Sequence, residues 1–298
     1  MSDLVIVEQP VFPPALPIDS HKGVAGRLLL FAGSESMPGA AILAVRAAQR
    51  AGAGLVTLAA FDQQIMNVAP ASTPETTYLD LSDDRDLIAS RFPRPVRALN
   101  HHVRVAGPGL GQSARIREFI RQLIGDTEFE GPLVLDADAL TAIRAKPEQV
   151  HACIGDVVLT PHPGEAKRML DRECPRDHEG RIEAALELAR RAGAVCVLKG
   201  PQTIVTDGSR VYINQSGNEG MASAGVGDVL VGILGAYLAH AQRSEDGSWG
   251  AFEAAAAAVW VHGVAGDIAR SEKGTFGMIA SDLIEALPRA QIAFDPEG

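Results

Sequence analysis

Residues Arg27–Ala60 read RLLLFAGSESMPGAAILAVRAAQRAGAGLVTLAA, and their periodicity decides the fold class. Two short, uninterrupted apolar runs, Arg27–Ala32 and Gly54–Ala60, flank Ala40–Ala51, where apolar residues recur at helical spacing. Short continuous runs bounded by glycine read as strands buried on both faces, so the segment is a βαβ unit. The alternation continues with strands expected at Val103–Ala106, Leu133–Asp136, Val157–Thr160 and Val195–Leu198. Helical stretches fall between them at Ala114–Ile124, Ala139–Arg144 and Glu179–Ala192. Such a chain predicts an α/β fold, a mostly parallel sheet with helices on both faces. Asp207-Gly208-Ser209, between Thr203–Thr206 and Arg210–Ile213, predicts a small antiparallel hairpin near 203–213. The C-terminal third reads as helices at Gly225–Ala241, Ala251–Ser271 and Ser281–Ala290, with a polar surface loop at Arg243–Gly250. Thr73–Arg97 has the weakest periodicity and is expected to be a peripheral excursion.

Composition narrows the function classes. The 298 residues include 46 Ala and 30 Gly, about a quarter of the chain, with only 5% aromatic content. That suits closely packed helices cut by glycine loops and argues against an all-β sandwich. The net charge is −10 and no Lys/Arg cluster occurs, which excludes nucleic-acid binding. A bound nucleotide stays compatible, because glycine-rich backbone holds phosphate without a basic surface. Cys153, Cys174 and Cys196 lie 21 and 22 residues apart, a spacing that fits no zinc ribbon, CxxC or disulfide framework. They read as reduced, mostly buried thiols. The N-terminus is acidic and proline-rich where a signal peptide is basic and then apolar. No apolar run reaches 18 residues, Ala254–Val261 reading as a core helix. A soluble, cytoplasmic protein without membrane contact is expected.

In an open α/β sheet, ligands bind at the carboxyl ends of the strands, and six motifs sit there. The strongest is Gly217–Leu230, GNEGMASAGVGDVL, a glycine-rich loop opening a helix. Gly225, Gly227 and the small Ala222 to Ala224 allow close backbone approach, and the N–H groups at the helix start, at the positive end of the helix dipole, stabilise an anion. Asp228 follows in the first turn. A carboxylate beside an anion site is what phosphoryl transfer to a hydroxyl requires, as it accepts the hydroxyl proton. Asp228 as a simple helix cap is the plainer alternative. The loop is neither a Walker A motif nor a GxGxxG fingerprint.

Thr160-Pro161-His162-Pro163-Gly164-Glu165 follows a strand, and its prolines present His162 and Glu165 with little freedom. Against a functional role, His162 is a loop residue and Glu165 a helix-start residue. Leu133–Leu140, LVLDADAL, puts Asp136 and Asp138 at a strand end, where they orient substrate or a Mg2+ water shell. Asp138 reads equally well as a helix N-cap. Gly107–Gly111 (GPGLG), Lys199-Gly200-Pro201-Gln202-Thr203 and Gly33–Ala41 (GSESMPGAA) complete the set. Lys199 offers a cation suited to a nucleotide phosphate.

GNEGMASAGVGDVL, LTPHPGEAKRML, VLDADAL, GPGLG, VLKGPQT and HKGVAGRLLLFAGS together resemble the ADP/ATP-dependent NAD(P)H-hydrate dehydratases. The resemblance runs from about His21 to Pro288. It implies a ribokinase-like three-layer α/β/α fold, with residues 1–20 an N-terminal extension and 21–298 a single dehydratase domain. It implies a hydro-lyase for metabolite repair. The terminal phosphoryl of ADP or ATP goes to the hydroxyl of hydrated NADH or NADPH, and the phosphoester eliminates to restore the nicotinamide. Carried over by residue, Asp228 is the base and contacts the hydrate together with Ala40, Gly109 and His162. Gly225, Val226 and Gly227 form the anion hole, while Lys199, Gly200, Pro201, Gln202, Thr203 and Gly227 contact the nucleotide. Glu165 falls where related kinases carry an acid acting through Mg2+, the implied cofactor.

The family loop usually reads GNPGMATGGTGD, and here Glu219, Ser223, Ala224 and Val226 replace Pro, Thr, Gly and Thr. Glu219 puts a negative charge on an anion-binding loop, and Val226 removes a hydroxyl near the phosphate. The resemblance further implies a homotetramer and a functional link to an NAD(P)H-hydrate epimerase, for which the residues before His21 leave no room. The rival is a kinase of the same fold for a hydroxymethylpyrimidine or hydroxyethylthiazole. Those kinases carry TPNxxE, and His162 stands here at the Asn position. A non-catalytic nucleotide-binding protein is the reading from another class, and Asp228 argues against it.

Overall fold

Strands β2 (Arg27–Phe31), β3 (Leu55–Ala60), β5 (Val103–Ala106), β6 (Leu133–Leu135), β7 (Val157–Leu159) and β8 (Val195–Leu198) of the computed structural model are, apart from Arg27, Thr57 and Arg104, apolar on both faces. Their alternation feeds two cores. Leu28, Leu30, Val56, Leu58, Val103 and Val105 point to one side. Leu29, Phe31, Ala59, Leu133, Leu135 and Leu159 point to the other. A parallel sheet covered on both faces by helices demands such strands. The structure describes residues 4–89, 91–241, 244 and 247–292.

The sheet has ten strands in the order β1-β10-β9-β8-β7-β6-β5-β2-β3-β4. From β8 to β4 every pairing is parallel. The hairpin β9 (Ile204–Thr206) and β10 (Arg210–Ile213) adds two antiparallel pairings at one side. Asp207 closes its turn, accepting from the Ser209 and Arg210 N–H groups at 2.9 and 2.7 Å.

The first core lies under α1 (Pro38–Arg50), α2 (Gln63–Ser72), α9 (Val226–His240), α10 (Ala251–Lys273) and α11 (Ala280–Ile292). Small residues let these helices approach closely. A Cβ on Gly232 of α9 would lie 2.2 Å from the Ala44 carbonyl oxygen and 2.8 Å from the Ala47 Cβ of α1. The second core lies under α5 (Ala114–Ile124), α6 (Ala137–Ile143), α7 (Pro163–Leu170) and α8 (His178–Ala192).

Three expectations are corrected. Thr73–Arg97 is no mere excursion: Thr77–Asp80 forms β4, parallel to β3, and α3 (Arg85–Ile88) and α4 (Arg94–Arg97) follow it. Leu81 and Val96 are fully buried there. Val5–Val7, inside the stretch read as an extension, forms β1 and pairs with β10. Both strands are short and sit at sheet edges; β4 (TYLD) lacks a continuous apolar run, and the apolar Val5–Val7 of β1 is largely exposed. Asp138 is not an N-cap, because α6 begins one residue earlier and Asp136 holds the cap position. The loop expected at Arg243–Gly250 lies in part outside the described residues. Among the described residues, no helix is long and apolar enough to cross a membrane.

Candidate active site

The carboxyl ends of the strands form a rim knitted by backbone hydrogen bonds. Gly33 donates to the Pro108 carbonyl (2.8 Å), Asp136 to Ala106 (3.1 Å), Thr160 to Leu135 (3.2 Å) and Lys199 to Pro161 (2.9 Å). Each motif loop therefore takes its position from its neighbour.

The first N–H groups of a helix have no acceptor within it, and those of α9 open onto this rim. Gly225 caps the helix with φ +86°, and a Cβ there would lie 2.5 Å from Leu43 Cδ1. Only glycine meets both demands. Val226 turns its side chain into the core, and its carbonyl accepts from Nε2–H of the buried His262 at 2.9 Å. Burial pushes the His262 imidazole down to about 4, so it is neutral at pH 7. The loop ahead is held by Asp267, which accepts from the Gly217 N–H and from Asn218 Nδ2, both at 2.9 Å. Glu219 is 71% exposed and lies 3.5 Å from Arg270. Its charge is answered on the surface rather than set against a phosphate.

Lys199 Nζ donates to Asp136 Oδ1 at 2.6 Å, and the Thr160 hydroxyl donates to the same oxygen at 2.6 Å. The ammonium lies 3.6 Å from where a Cβ on Gly227 would be, against the first turn of α9. Burial works against the Lys199 charge, yet Asp136, Glu165 and Asp228 together hold its pKa above the usual value. Asp228 is pushed up to about 6, first by burial and then by the Asp136 carboxylate, with Lys199 opposing. A base with that pKa is ionised at pH 7 yet close enough to it to take and return a proton.

His162 and Glu165 close the N-terminus of α7 as a capping box. The Gly164 N–H donates to His162 Nδ1 (2.9 Å) and the His162 N–H to Glu165 Oε2 (2.8 Å). The helix-start role is therefore real, and it leaves His162 half-exposed at the rim. Burial raises the Glu165 pKa, with Lys199 opposing and Asp136 adding to the rise. Asp138 accepts from the Gly111 N–H (2.8 Å) and Gln112 Nε2 (3.1 Å), which fixes the GPGLG loop. A Cβ on Gly109 would lie 2.9 Å from Ala40 Cβ, so these two sequence candidates meet. Leu43, one turn along α1 from Ala40, packs against Gly225.

The structure thus gathers Lys199, Gly227, Asp228, Asp136 and Glu165 into one electrostatic cluster and sets Ala40 against Gly109. Among the described residues, His162 makes its hydrogen bonds within the capping box of α7 and none to that second pair. His262 and Asp267 escape sequence reading, although polar residues interrupting an alanine-rich helix were a usable signal. Both carboxylates at the β6 end are engaged by protein, Asp136 by Lys199 and Thr160, Asp138 by the loop. Among the described residues, no group of three His, Cys, Asp or Glu is arranged to hold a metal ion. A Mg2+ ion here would have to take its oxygens from nucleotide phosphates and water rather than from a protein cage.

Comparison with known proteins identifies the family. The family model for NAD(P)H-hydrate dehydratase matches residues 28–289. The ADP-dependent (S)-NAD(P)H-hydrate dehydratase of Neisseria meningitidis serogroup B is 36% identical, over 90% of this chain and 86% of its own. The bifunctional NAD(P)H-hydrate repair enzyme Nnr of Moorella thermoacetica is 37% identical over 92% of this chain. This chain spans about half the length of that relative, 51%. The ADP/ATP-dependent NAD(P)H-hydrate dehydratase of Bacillus subtilis, crystallised with ATP/Mg2+, superposes with a TM-score of 0.79. It is 31% identical, with 95% of this chain and 94% of its own covered. The fold is ribokinase-like, as its structural neighbours are, and the chain belongs to the NAD(P)H-hydrate dehydratase family.

Proposed function

We propose that this chain dehydrates the hydrated forms of NADH and NADPH with ADP or ATP as co-substrate, a hydro-lyase reaction of metabolite repair. One observation carries the reading: a half-buried carboxylate, Asp228, with its pKa raised to about 6, stands in the first turn of the anion-binding helix beside Lys199. Asp228 takes the proton of the hydrate hydroxyl as that oxygen attacks the terminal phosphorus. The bond from phosphorus to the nucleotide's bridging oxygen breaks, leaving AMP from ADP or ADP from ATP. The Gly225, Val226 and Gly227 N–H groups, with Lys199, stabilise charge on the transferring group. The phosphoester's carbon–oxygen bond then breaks to release inorganic phosphate, the neighbouring ring carbon gives up a proton to phosphate or water, and the nicotinamide double bond returns.

Ala40, Gly109 and His162 hold the hydrate in this reading, and Lys199, Gly200, Pro201, Gln202, Thr203 and Gly227 hold the nucleotide. Mg2+ would ride on the phosphates with Glu165 on its water shell, and it supplies charge neutralisation there. A cytoplasmic, homotetrameric dehydratase domain that includes β1, working beside an NAD(P)H-hydrate epimerase, belongs to the same proposal.

The test is incubation with NADH hydrate, Mg2+ and either ADP or ATP. Recovery of NADH absorbance with stoichiometric phosphate is expected. No recovery with either nucleotide, together with phosphorylation of a hydroxymethylpyrimidine or hydroxyethylthiazole, would move the chain to the kinases of this fold.

A further inference from the structure

Trp260, in the middle of α10, is only partly buried. Glu253, Trp260 and Asp267 recur every seven residues, so they lie in a row along one face of that helix. Both ends of the row are pinned. Glu253 pairs with Arg210 of β10, and Asp267 holds Gly217 and Asn218 of the anion-binding loop. Trp260 therefore stands beside the segment that joins β10 to that loop. Two contacts fix it there: the Ser216 hydroxyl donates to the Trp260 carbonyl at 3.0 Å, and Asn214 Nδ2 donates to the Val259 carbonyl at 3.4 Å. A Cβ on Gly263, one turn further along, would lie 2.1 Å from Ser216 Oγ.

The same segment is tied to the Lys199–Thr203 loop. The Asn214 N–H donates to the Thr203 carbonyl at 2.9 Å, and exposed Gln202 donates from Nε2 to Gln215 Oε1 at 3.2 Å. Lys199 marks the phosphate end of that loop, against Gly227. A nucleotide with its phosphates at Lys199 and its sugar along the loop brings its nucleobase to the end where Gln202, Gln215 and Trp260 gather. A second aromatic ring arrives there from the N-terminal segment, which β1 anchors to β10. Phe12 meets Trp260 edge to face, with ring centroids 6.1 Å apart and planes at 65°. Such packing sets the orientation of an indole. Every nucleobase has a π face, and an oriented aromatic ring beside a phosphate-binding loop is a stacking platform for it.

We propose that Trp260, oriented by Phe12 of the N-terminal segment, is the surface on which the nucleobase of the co-substrate nucleotide stacks. The inference rests on the reading of Lys199–Thr203 as the nucleotide loop, and it adds two residues that no motif marked. Trp260 touches the ligand; Phe12 is a positioning residue. A purely structural role for either would change stability without distinguishing a nucleotide from its bare phosphates.

Titration calorimetry on the full chain, with ADP and with inorganic pyrophosphate in the presence of Mg2+, tests this without turnover. Wild type is expected to bind ADP about tenfold or more tighter than pyrophosphate. Trp260→Leu keeps an apolar side chain but has no ring. It should weaken ADP about tenfold and leave pyrophosphate within about twofold, while Trp260→Phe should restore ADP to within about threefold of wild type. Phe12→Ala should lose part of the same margin, and it decides alone if Trp260→Leu fails to fold by circular dichroism. Indole emission is a second readout. Trp249, the other tryptophan, is 3% exposed, and its Nε1–H donates to the Tyr237 carbonyl at 3.0 Å. A change in emission on ADP binding should therefore appear in wild type and vanish in Trp260→Leu. Wild-type ADP affinity in folded Trp260→Leu, or equal loss for ADP and pyrophosphate, overturns the proposal and leaves the nucleotide loop standing. A wild type that binds neither probe overturns the nucleotide loop and this inference with it.

Discussion

Replacing Asp228 by Asn keeps the side chain's shape and removes a charge that the fold disfavours. The carboxyl is raised from 3.8 to about 6 by burial first and by Asp136 second, against Lys199. In the unfolded chain it titrates near its ordinary value, so between those two values the folded protein holds a proton the unfolded chain has released. Stability then falls as pH rises through that window. Above pH 6 the group is ionised in both states. The folded state then carries the whole cost, about two pKa units at about 1.4 kcal/mol each, or about 3 kcal/mol. Solvent reaching the half-buried group lowers this, so a gain of about 1–3 kcal/mol is expected for Asp228→Asn at pH 8. For a chain of this length that is about 2–6 °C in Tm. Below pH 4 the two proteins should melt together. The same variant is expected to lose turnover by about 10²–10⁴-fold while keeping nucleotide affinity. Thermal melts of both proteins between pH 4 and pH 8, alongside NADH recovery, check each part. An Asn variant no more stable than wild type at pH 8, or one whose advantage grows toward pH 4, would refute the electrostatic account of this site.

Three other substitutions probe its surroundings. Lys199→Met leaves buried Asp136 with only the Thr160 hydroxyl, and urea unfolding should show a loss of about 3 kcal/mol; an unchanged midpoint would show that the pair is dispensable. His162→Ala should raise KM for the hydrate with nucleotide affinity little changed, and should lower stability by about 1 kcal/mol through loss of its bond to the Gly164 N–H. An effect confined to the nucleotide would place this residue in the other subsite. Glu219→Ala should alter ADP affinity less than twofold at physiological salt, because an exposed charge facing Arg270 is screened from the phosphate; a large gain would restore the idea that it opposes anion binding.

What the sequence made legible was local. Strands buried on both faces must be continuously apolar, so Arg27–Phe31 and its relatives announced themselves. Loops needing glycine or proline geometry announced the rim. What stayed hidden depends on partners far along the chain. Asp136 meets Lys199 from 63 residues away, His262 meets Val226 across 36, and Asp267 meets Gly217 across 50. No periodicity records such pairings. Asp136 therefore read as a candidate for substrate or Mg2+ with no sign of the hydrogen bond it accepts from Lys199. For Glu219 the sequence showed its place in an anion-binding motif but not its exposed ion pair with Arg270, 51 residues away. The edge strands β1 and β4 were missed because three or four half-exposed residues carry too little pattern to separate strand from loop.

The contact between Gly232 and Ala44 has a consequence for tolerance at a distance. Ala40 and Gly225 open two different helices, and the chemistry needs the spacing between those openings kept to a fraction of an ångström. That spacing is set two turns away, where a hydrogen atom on Gly232 faces a backbone carbonyl. A single added methyl there pushes the helices apart like a shim under one leg of a table, and the two openings shift with them. The commonest and least conspicuous residues of this chain therefore act as its gauge blocks, and a defect in the reaction can originate where no ligand ever reaches.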